Sequence, residues 1–288
     1  MKAFMKEKKP NWALVLSGGG ARGLAHIGLL KGLEGEGFPK PDLVVGTSMG
    51  AIVGGLYACG MSPTEMEHFV IHEFRIADHL DSFVFRIDGP VGKVIQTGQA
   101  LASLAGRPGI DPGQRVLELL ERLTNGREFP ETEIPFRCNA VDLLSGREVV
   151  FSSGSVAKAM RASMALPVVF EPYLYNGMCL VDGGLFDNMP VSIAMNEGVQ
   201  QILAVNVNLF SPAIPEDFKN GPQVIFRSIE CALHAQEENK SPADLTLDIA
   251  VETDLFSFFK QKELISLGEK AVRENLASLK VFFELEKA

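Results

Sequence analysis

A serine within the glycine-flanked turn Gly46–Gly50 constrains the fold of this chain more than any other feature. The pentapeptide Gly-Thr-Ser-Met-Gly follows the apolar run 43–45 and precedes the apolar stretch 51–56, so the serine lies where a buried strand turns sharply into a helix. A serine at such a turn has a strained backbone, and side chains two residues away on either side would collide there. The turn lifts the hydroxyl clear of the sheet beside a helix N-terminus, which makes Ser48 a candidate nucleophile.

The composition sets the size of the core and limits the class of partner. The chain has 288 residues, of which 46% are hydrophobic, enough for one large α/β domain or two small ones. The net charge of −9 argues against nucleic acid as a partner, because phosphate binding needs a positive surface. In the absence of an internal repeat or a clear linker, we predict one domain over 1–288.

The cysteines and the apolar runs bear on metal binding and on location. Four cysteines stand far apart, without C-x-x-C spacing or a nearby histidine cluster, so we predict reduced thiols and no zinc site. No apolar run approaches the length of a membrane span, and the run at 12–16 is too short for a signal-peptide core. We therefore expect a soluble, cytoplasmic protein.

Short apolar runs alternate with helical periodicity along the chain. Strands are predicted at 12–17, 43–47, 136–141, 147–151, 178–181 and 201–207. Helices are predicted at 24–33, 48–59, 113–123, 156–164, 223–238 and 260–283, and another begins at the capping box Ser62–Glu65. This alternation implies a parallel sheet with helices on both faces. Residues 78–111 are interpreted either as a partly helical cover over the site or as an ordinary surface excursion.

A second glycine-rich turn, Gly18–Gly23, follows the first strand. It matches the G-x-G-x-x-G pattern of dinucleotide sites, but such a site also needs an acidic residue at the end of the second strand, and none is present. Consecutive glycines instead leave backbone N–H groups bare beside a helix N-terminus, which suits an oxyanion. Arg22 would orient this loop or neutralise an anionic substrate. The alternative is that the glycines only permit tight strand–helix packing.

A nucleophilic serine needs a group that accepts its proton. An α/β-hydrolase places its histidine after the acid, and only His234 follows Asp182, within the pattern of an amphipathic helix rather than in a loop. Asp182 is better placed, because it ends a strand and functional groups of open parallel sheets gather at the carboxyl ends of strands. Burial would raise the pKa of Asp182 and make it a stronger base, whereas the alternative role is a turn cap.

Three blocks together resemble the patatin-like phospholipase family, in the order Gly18–Gly23, Gly46–Gly50 and Asp182–Gly184. The blocks Arg161–Pro167 and Asp187–Pro190 also resemble this family. The best match is to bacterial members close to the catalytic domain of neuropathy target esterase. The resemblance runs over about 12–207 and is weaker beyond, which implies a domain core at about 12–207 and a helical completion at about 208–288. Asp-Gly-Gly stands where many members have Asp-Gly-Ala, a change that keeps the last residue small.

The resemblance implies a three-layer α/β/α fold with a mainly parallel central sheet. It implies hydrolysis of acyl esters in phospholipids or lysophospholipids, with Ser48 as nucleophile, Asp182 as proton acceptor and an acyl-enzyme intermediate. No metal or organic cofactor is implied, and membrane contact is expected to be peripheral. The other implied site residues are the oxyanion-hole residues Gly18, Gly19, Gly20 and Arg22 and the supporting motif residues Gly23, Gly46, Gly50, Gly183 and Gly184.

Two other functions remain open. A catalytically silent lipid- or acyl-binding regulator on the same fold is opposed by the presence of both Ser48 and Asp182, and serine labelling discriminates between the two. A histidine-dependent α/β-hydrolase would lose its activity in His234→Ala.

Overall fold

The computed structural model describes residues 11–81, 107–218, 221–237, 242–253 and 258–284. The strands are β1 (Trp12–Leu16), β2 (Leu43–Gly46), β3 (Gly109–Asp111), β4 (Phe136–Asp142), β5 (Arg147–Phe151), β6 (Val168–Phe170), β7 (Tyr173–Tyr175), β8 (Met178–Asp182), β9 (Gln201–Asn206) and β10 (Leu245–Asp248). The α-helices are α1 (Ala25–Gly35), α2 (Met49–Ala58), α3 (Pro63–His68), α4 (Gln114–Leu123), α5 (Val156–Ser163), α6 (Val191–Asn196), α7 (Gly221–Glu237), α8 (Gln261–Glu274) and α9 (Leu276–Glu284).

The central sheet has the order β10-β9-β1-β2-β4-β8-β7, with β5 paired to β4 off this path. The strands from β10 to β4 run parallel, which confirms the predicted mainly parallel sheet. β1 is buried along its whole length because helices cover both faces. Its residues Ala13 and Val15 pack towards α6, whereas Leu14 and Leu16 pack into the larger cluster that contains α1 and α2.

Local sequence signals account for several elements. α3 begins at the predicted capping box, in which the Glu65 N–H donates to Ser62 Oγ and the Ser62 N–H donates to Glu65 Oε2. Pro63 occupies the first helical turn, where its missing N–H leaves no bond unmade. The antiparallel pair β4–β5 lies where strands are predicted at 136–141 and 147–151.

Other elements differ from the predictions. The helix predicted at 260–283 is divided into α8 and α9 at Asn275, whose side-chain amide donates to the Ala271 carbonyl oxygen and competes with helix continuation. β10 joins the main sheet within the segment predicted as a helical completion, and β6 and β7 were not predicted. Residues 82–106 of the predicted insertion lie outside the described residues. Within the part of the chain that is described, every helix is too short or too polar to cross a membrane.

Candidate active site

Two strand ends meet on one edge of β4. β2 pairs with β4 up to Cys138, and β8 pairs with β4 from Ala140 onward. Each of these two residues also pairs with β5, so β2 and β8 share the opposite edge of β4. β8 runs antiparallel to β4, and its carboxyl end therefore faces the carboxyl end of β2 across one residue. The expectation that Asp182 ends a parallel strand is wrong, and the antiparallel approach is what brings it to Ser48.

Ser48 occupies the turn from β2 into α2, with φ of 52° and ψ of −118°. A non-glycine residue in this conformation is strained, and the surrounding structure must hold it. The Ser48 N–H donates to Ser163 Oγ at 2.9 Å. A Cβ on Gly46 would overlap the backbone of Gly50, and a Cβ on Gly50 would overlap the Leu16 carbonyl oxygen. The strained turn and its two collisions are confirmed.

Asp182 is 4% exposed, and both of its carboxylate oxygens have donors. Ser48 Oγ donates to Oδ2 at 2.7 Å, and the Gly184 N–H donates to Oδ1 at 2.8 Å. Burial raises the pKa of Asp182 to about 6, while the two hydrogen bonds oppose this rise. Asp182 therefore caps its own turn and also pairs with Ser48. With a pKa near 6 it is ionised at neutral pH yet is a stronger base than an ordinary aspartate.

A buried amide that was not predicted from the sequence links the ends of β2 and β8. Asn139 occupies the single residue of β4 between the pairing positions of β2 and β8. Its Oδ1 accepts a hydrogen bond from Thr47 Oγ1 at 2.8 Å, and its Nδ2 donates to the Asp187 carbonyl oxygen at 2.9 Å. Nδ2 also donates to Glu148 Oε1 at 2.8 Å. These bonds tie the residue before Ser48 to the loop after Asp182. An amide among the apolar residues of a strand was the available signal.

We expect Asn139→Ala to loosen this junction. Loss of the amide removes two buried hydrogen bonds, one from the Thr47 hydroxyl and one to the Asp187 carbonyl, although these two groups keep their own bond at 3.0 Å. The loss of the two bonds should lower the free energy of unfolding by about 1–3 kcal/mol. Misplacement of Ser48 should lower kcat by about tenfold or more with little change in KM. Thermal unfolding and turnover of a soluble ester measure the two effects. Asn196→Ala, at the exposed end of α6, is the matched control. Wild-type kcat in Asn139→Ala would contradict the positioning role.

The glycine loop contributes unevenly to the site. Gly19 and Gly20 line the same cavity as Ser48, and Gly20 has a φ of 54°. The Gly18 N–H instead donates to the Asn188 carbonyl oxygen at 3.0 Å, so it is not available to an oxyanion. The prediction that Gly18 is an oxyanion-hole donor is thereby corrected. A Cβ on Gly18 would overlap Asn188 Oδ1 and lie 3.2 Å from Ser48 Cβ, so this glycine permits the close approach of loop and serine.

Arg22 holds the glycine loop to neighbouring backbone and side-chain groups. Its Nε donates to the Thr253 carbonyl oxygen at 2.9 Å, and its Nη1 donates to Asn208 Oδ1 at 2.6 Å. Asn208 lines the cavity, whereas Arg22 does not. Of the two roles predicted for Arg22, the structure therefore favours orientation of the loop over neutralisation of a substrate.

The remaining motif glycines also lie at close approaches. A Cβ on Gly23 would overlap the Met49 side chain, and a Cβ on Gly183 would overlap Asn139. A Cβ on Gly184 would lie 3.0 Å from Asp182 Oδ1. Gly183 and Gly184 therefore leave room for the Asn139 side chain and the Asp182 carboxylate.

An apolar cavity of about 240 Å³ extends from Ser48 and Asp182. Most of its wall is aliphatic or aromatic, as in Ile52, Leu56, Val70, Leu120, Met164 and Phe170. His79 and Leu80, from the described start of the 78–111 segment, are also part of the wall. A cavity of this character suits a long aliphatic group whose polar end lies at Ser48.

The histidines have other partners. His26 Nε2 lies 2.9 Å from the Ser17 carbonyl oxygen, and burial lowers the pKa of His26 to about 4. The neutral ring therefore donates to the end of β1 before the glycine loop and has a structural role. His234 stacks on Phe210 with ring centroids 4.3 Å apart, while the Ser48 hydroxyl donates to a carboxylate. This arrangement does not support a histidine-dependent hydrolase.

The model of the patatin-like phospholipase family matches residues 14–195, which include the glycine loop, Ser48 and Asp182. The chain belongs to this family. The resemblance predicted from the three motif blocks is confirmed.

Curated relatives of this patatin-like chain carry the NTE name. An uncharacterized NTE family protein of Mycobacterium tuberculosis is 31% identical over 201 residues, which are 69% of this chain and 49% of that protein. Lysophospholipase NTE1 of Mycosarcoma maydis is 32% identical over 208 residues, which are 71% of this chain and 10% of that protein. The chain therefore spans about half of the mycobacterial relative and a small part of the fungal one.

Solved structures share the fold at low sequence identity. Human GIVD cytosolic phospholipase A2 has a TM-score of 0.54 and 12% identity, with coverage of 99% of this chain and 61% of that chain. VipD from Legionella pneumophila has a TM-score of 0.50 and 15% identity, with coverage of 94% of this chain and 67% of that chain. Together with the family match, these similarities confirm the predicted three-layer α/β/α fold.

Proposed function

We propose that this protein is a serine acyl hydrolase that cleaves the ester bonds of phospholipids or lysophospholipids. The observation that carries the proposal is the 2.7 Å hydrogen bond from Ser48 Oγ to Asp182 Oδ2 beside an apolar cavity. Family membership and the similarity to a fungal lysophospholipase support the choice of an acyl ester. The cavity suits the acyl chain, and the Ser48–Asp182 pair suits the ester group.

The proposed first half-reaction forms an acyl-enzyme. Ser48 Oγ attacks the ester carbonyl carbon while the Asp182 carboxylate accepts the hydroxyl proton. The carbonyl oxygen becomes negatively charged, and the N–H groups of Gly19 and Gly20 are the proposed donors to it. When the tetrahedral intermediate collapses, the bond to the leaving alcohol breaks and Asp182 returns the proton to that alcohol.

The second half-reaction releases the acid. A water molecule attacks the acyl carbon of the Ser48 ester while Asp182 accepts a proton from the water. The bond to Ser48 Oγ then breaks and the serine recovers its proton from Asp182. The fatty acid leaves and the free enzyme is restored. Asp182 is the only proton acceptor that this cycle requires.

The test is release of fatty acid from phosphatidylcholine and from lysophosphatidylcholine, measured by mass spectrometry. We expect release from at least one of these lipids by the wild-type protein and none above background by Ser48→Ala. A fluorophosphonate probe should label Ser48 in the wild-type protein. Absence of both release and labelling in a folded protein would overturn the proposal in favour of a silent lipid-binding regulator.

We expect the reaction rate to depend on the ionisation of Asp182. Because the carboxylate accepts the proton and its pKa is raised to about 6, kcat/KM should rise with pH through about 6 and then level off. Activity is therefore lost as the pH falls below that value. The profile is measured with a soluble ester at constant ionic strength, with circular dichroism at each pH to confirm folding. A midpoint near the ordinary value of 3.8 would contradict the role of burial.

A further inference from the structure

Several segments that line the cavity also carry an exposed apolar side chain close to the lining residue. Leu185, Asn208, Ile229 and Phe258 line the cavity. The neighbouring exposed side chains form what we call the apolar rim, which consists of Phe186, Phe210, Val224, Ile225 and Phe259. The exposed fraction of each of these residues lies between 38% and 64%. Exposed apolar residues on several segments that line one apolar cavity mark a candidate interaction surface.

The helical spacing of α7 connects the rim to the cavity. Ile225 precedes the lining residue Ile229 by four positions, so the two side chains lie on the same helix face one turn apart. Ile225 is 52% exposed, which places the outer end of this row in solvent. The apolar surface therefore continues from the cavity wall to the outside of the protein along α7.

The loop that carries Phe210 is held firmly on α7. The Arg227 guanidinium lies 4.0 Å from the centre of the Phe210 ring, and His234 stacks on the same ring at 4.3 Å. Arg227 Nη2 also donates to the Ser211 carbonyl oxygen at 2.6 Å. α7 in turn contacts the 3₁₀ turn at Gly183–Leu185 that follows Asp182. The rim residues on α7 and on the Phe210 loop are therefore connected by direct packing to the turn that follows Asp182.

We propose that the apolar rim docks this protein on the surface of an electrically neutral lipid bilayer. The choice of a bilayer rests on the proposed function, because an acyl chain must leave the lipid phase to reach Ser48. An apolar rim that continues into the apolar cavity wall lets an acyl chain pass from the bilayer to the cavity with little exposure to water. Insertion of such side chains into the boundary between head groups and acyl chains supplies the binding free energy.

The charges beside the rim favour neutral lipid over anionic lipid. Arg227 is paired with Glu230 at 3.1 Å, and Lys260 is paired with Glu263 at 3.5 Å. Glu216 adds an exposed carboxylate to the loop before α7. Lys262 adds an exposed ammonium group, but the acidic residues of these described segments still outnumber the lysines and arginines. The segments therefore present no surplus positive charge, and the whole chain has a net charge of −9. Attraction to anionic head groups is not expected to contribute to docking.

Vesicle sedimentation tests the docking surface. The proteins are compared on phosphatidylcholine vesicles in a Ser48→Ala background, so that hydrolysis does not alter the lipid. The rim variant is Val224→Ser/Ile225→Ser, and the matched control is Leu144→Ser/Leu174→Ser, which removes two exposed apolar side chains that do not line the cavity. We expect the rim variant to bind at least about tenfold more weakly and the control to bind as the parent does. Equal losses in both variants, or no binding by the parent, would overturn the proposal.

Two further measurements keep docking separate from folding and from catalysis. A fluorophore on Cys231, an exposed thiol two turns after Val224 on α7, should shift to the blue with phosphatidylcholine vesicles in the parent and not in the rim variant. With Ser48 restored, the rim variant should hydrolyse a soluble ester at the wild-type rate and vesicle lipid more slowly. Binding only to an equal mixture with phosphatidylserine would overturn the neutral-lipid proposal. Vesicle binding without hydrolysis of any ester would instead contradict the proposed function alone.

Discussion

Ser48→Ala is expected to abolish ester hydrolysis and fluorophosphonate labelling. The substitution removes the oxygen that lies 2.7 Å from Asp182 Oδ2, and among the residues that the structure describes no other hydroxyl makes this hydrogen bond. A loss of about 10³-fold or more is typical when a serine nucleophile is removed. The hydrogen bond from Ser48 also lowers the pKa of Asp182, so that pKa should rise further in the variant. Initial rates on a soluble ester and intact-protein mass spectrometry after labelling measure the outcome.

A second serine provides the control for this experiment. Ser266→Ala removes an exposed hydroxyl that donates to the Glu263 carbonyl oxygen of its own helix. Its activity and labelling should equal those of the wild-type protein. Hydrolysis retained by Ser48→Ala, or an adduct that maps to another residue, would assign the reaction to a different nucleophile.

Asp182→Asn is expected to lower activity by about 10³- to 10⁴-fold. The amide matches the carboxylate in size and retains an oxygen for the Gly184 N–H, but it cannot accept the Ser48 proton. Labelling of Ser48 should slow strongly for the same reason. Rates of ester hydrolysis and of probe reaction measure this loss. If the variant hydrolyses ester at the wild-type rate, Asp182 is not the base.

The same substitution should stabilise the fold at neutral pH. The pKa of Asp182 is raised from 3.8 to about 6, so the folded state holds its proton more tightly than the unfolded state does. The contribution of Asp182 to stability therefore falls as the pH rises from 3.8 through 6, and above 6 ionisation of this buried group costs up to about 3 kcal/mol. Asp182→Asn escapes that cost, and its advantage in unfolding experiments should shrink as the pH is lowered through 6.

Asp142→Asn is a control for which we expect the opposite change in folding stability. Hydrogen bonds from the Cys179 N–H, the Ser145 hydroxyl and nearby N–H groups lower the pKa of Asp142. Ionisation of Asp142 thus favours the folded state, and the asparagine variant should be less stable than the wild-type protein at neutral pH. Its site should remain active, because Asp142 does not contact Ser48 or Asp182 in the hydrogen bonds of the site. Stabilisation by both substitutions would contradict the effect ascribed to Asp182.

Local features were predictable because they depend on neighbouring residues. The collision of any Cβ at Gly46 or Gly50 with the backbone follows from a tight strand-to-helix turn, and the pentapeptide encodes that turn. The capping box Ser62–Glu65 likewise joins groups three residues apart. Such bonds require no knowledge of how distant segments pack.

Other features of the site were not predictable, because they depend on which backbone N–H and C=O groups already form hydrogen bonds with distant residues. Gly18 belongs to the same motif as Gly19 and Gly20, yet its N–H donates to the Asn188 carbonyl oxygen, 170 residues away in the chain. Arg22 similarly reaches Thr253, 231 residues away. A motif reports the residue types at a site, but the partner of each hydrogen bond depends on the order and direction of distant strands.

The strained serine turn, the glycine loop and the candidate roles of Ser48 and Asp182 follow from residue patterns alone. How Ser48 and Asp182, 134 positions apart, come together depends on the fold. β8 runs antiparallel on the same edge of β4 that β2 occupies, and Asn139 fills the one-residue gap between their ends. Strand direction and register arise from the packing of the whole sheet, because a local apolar run can pair in either direction.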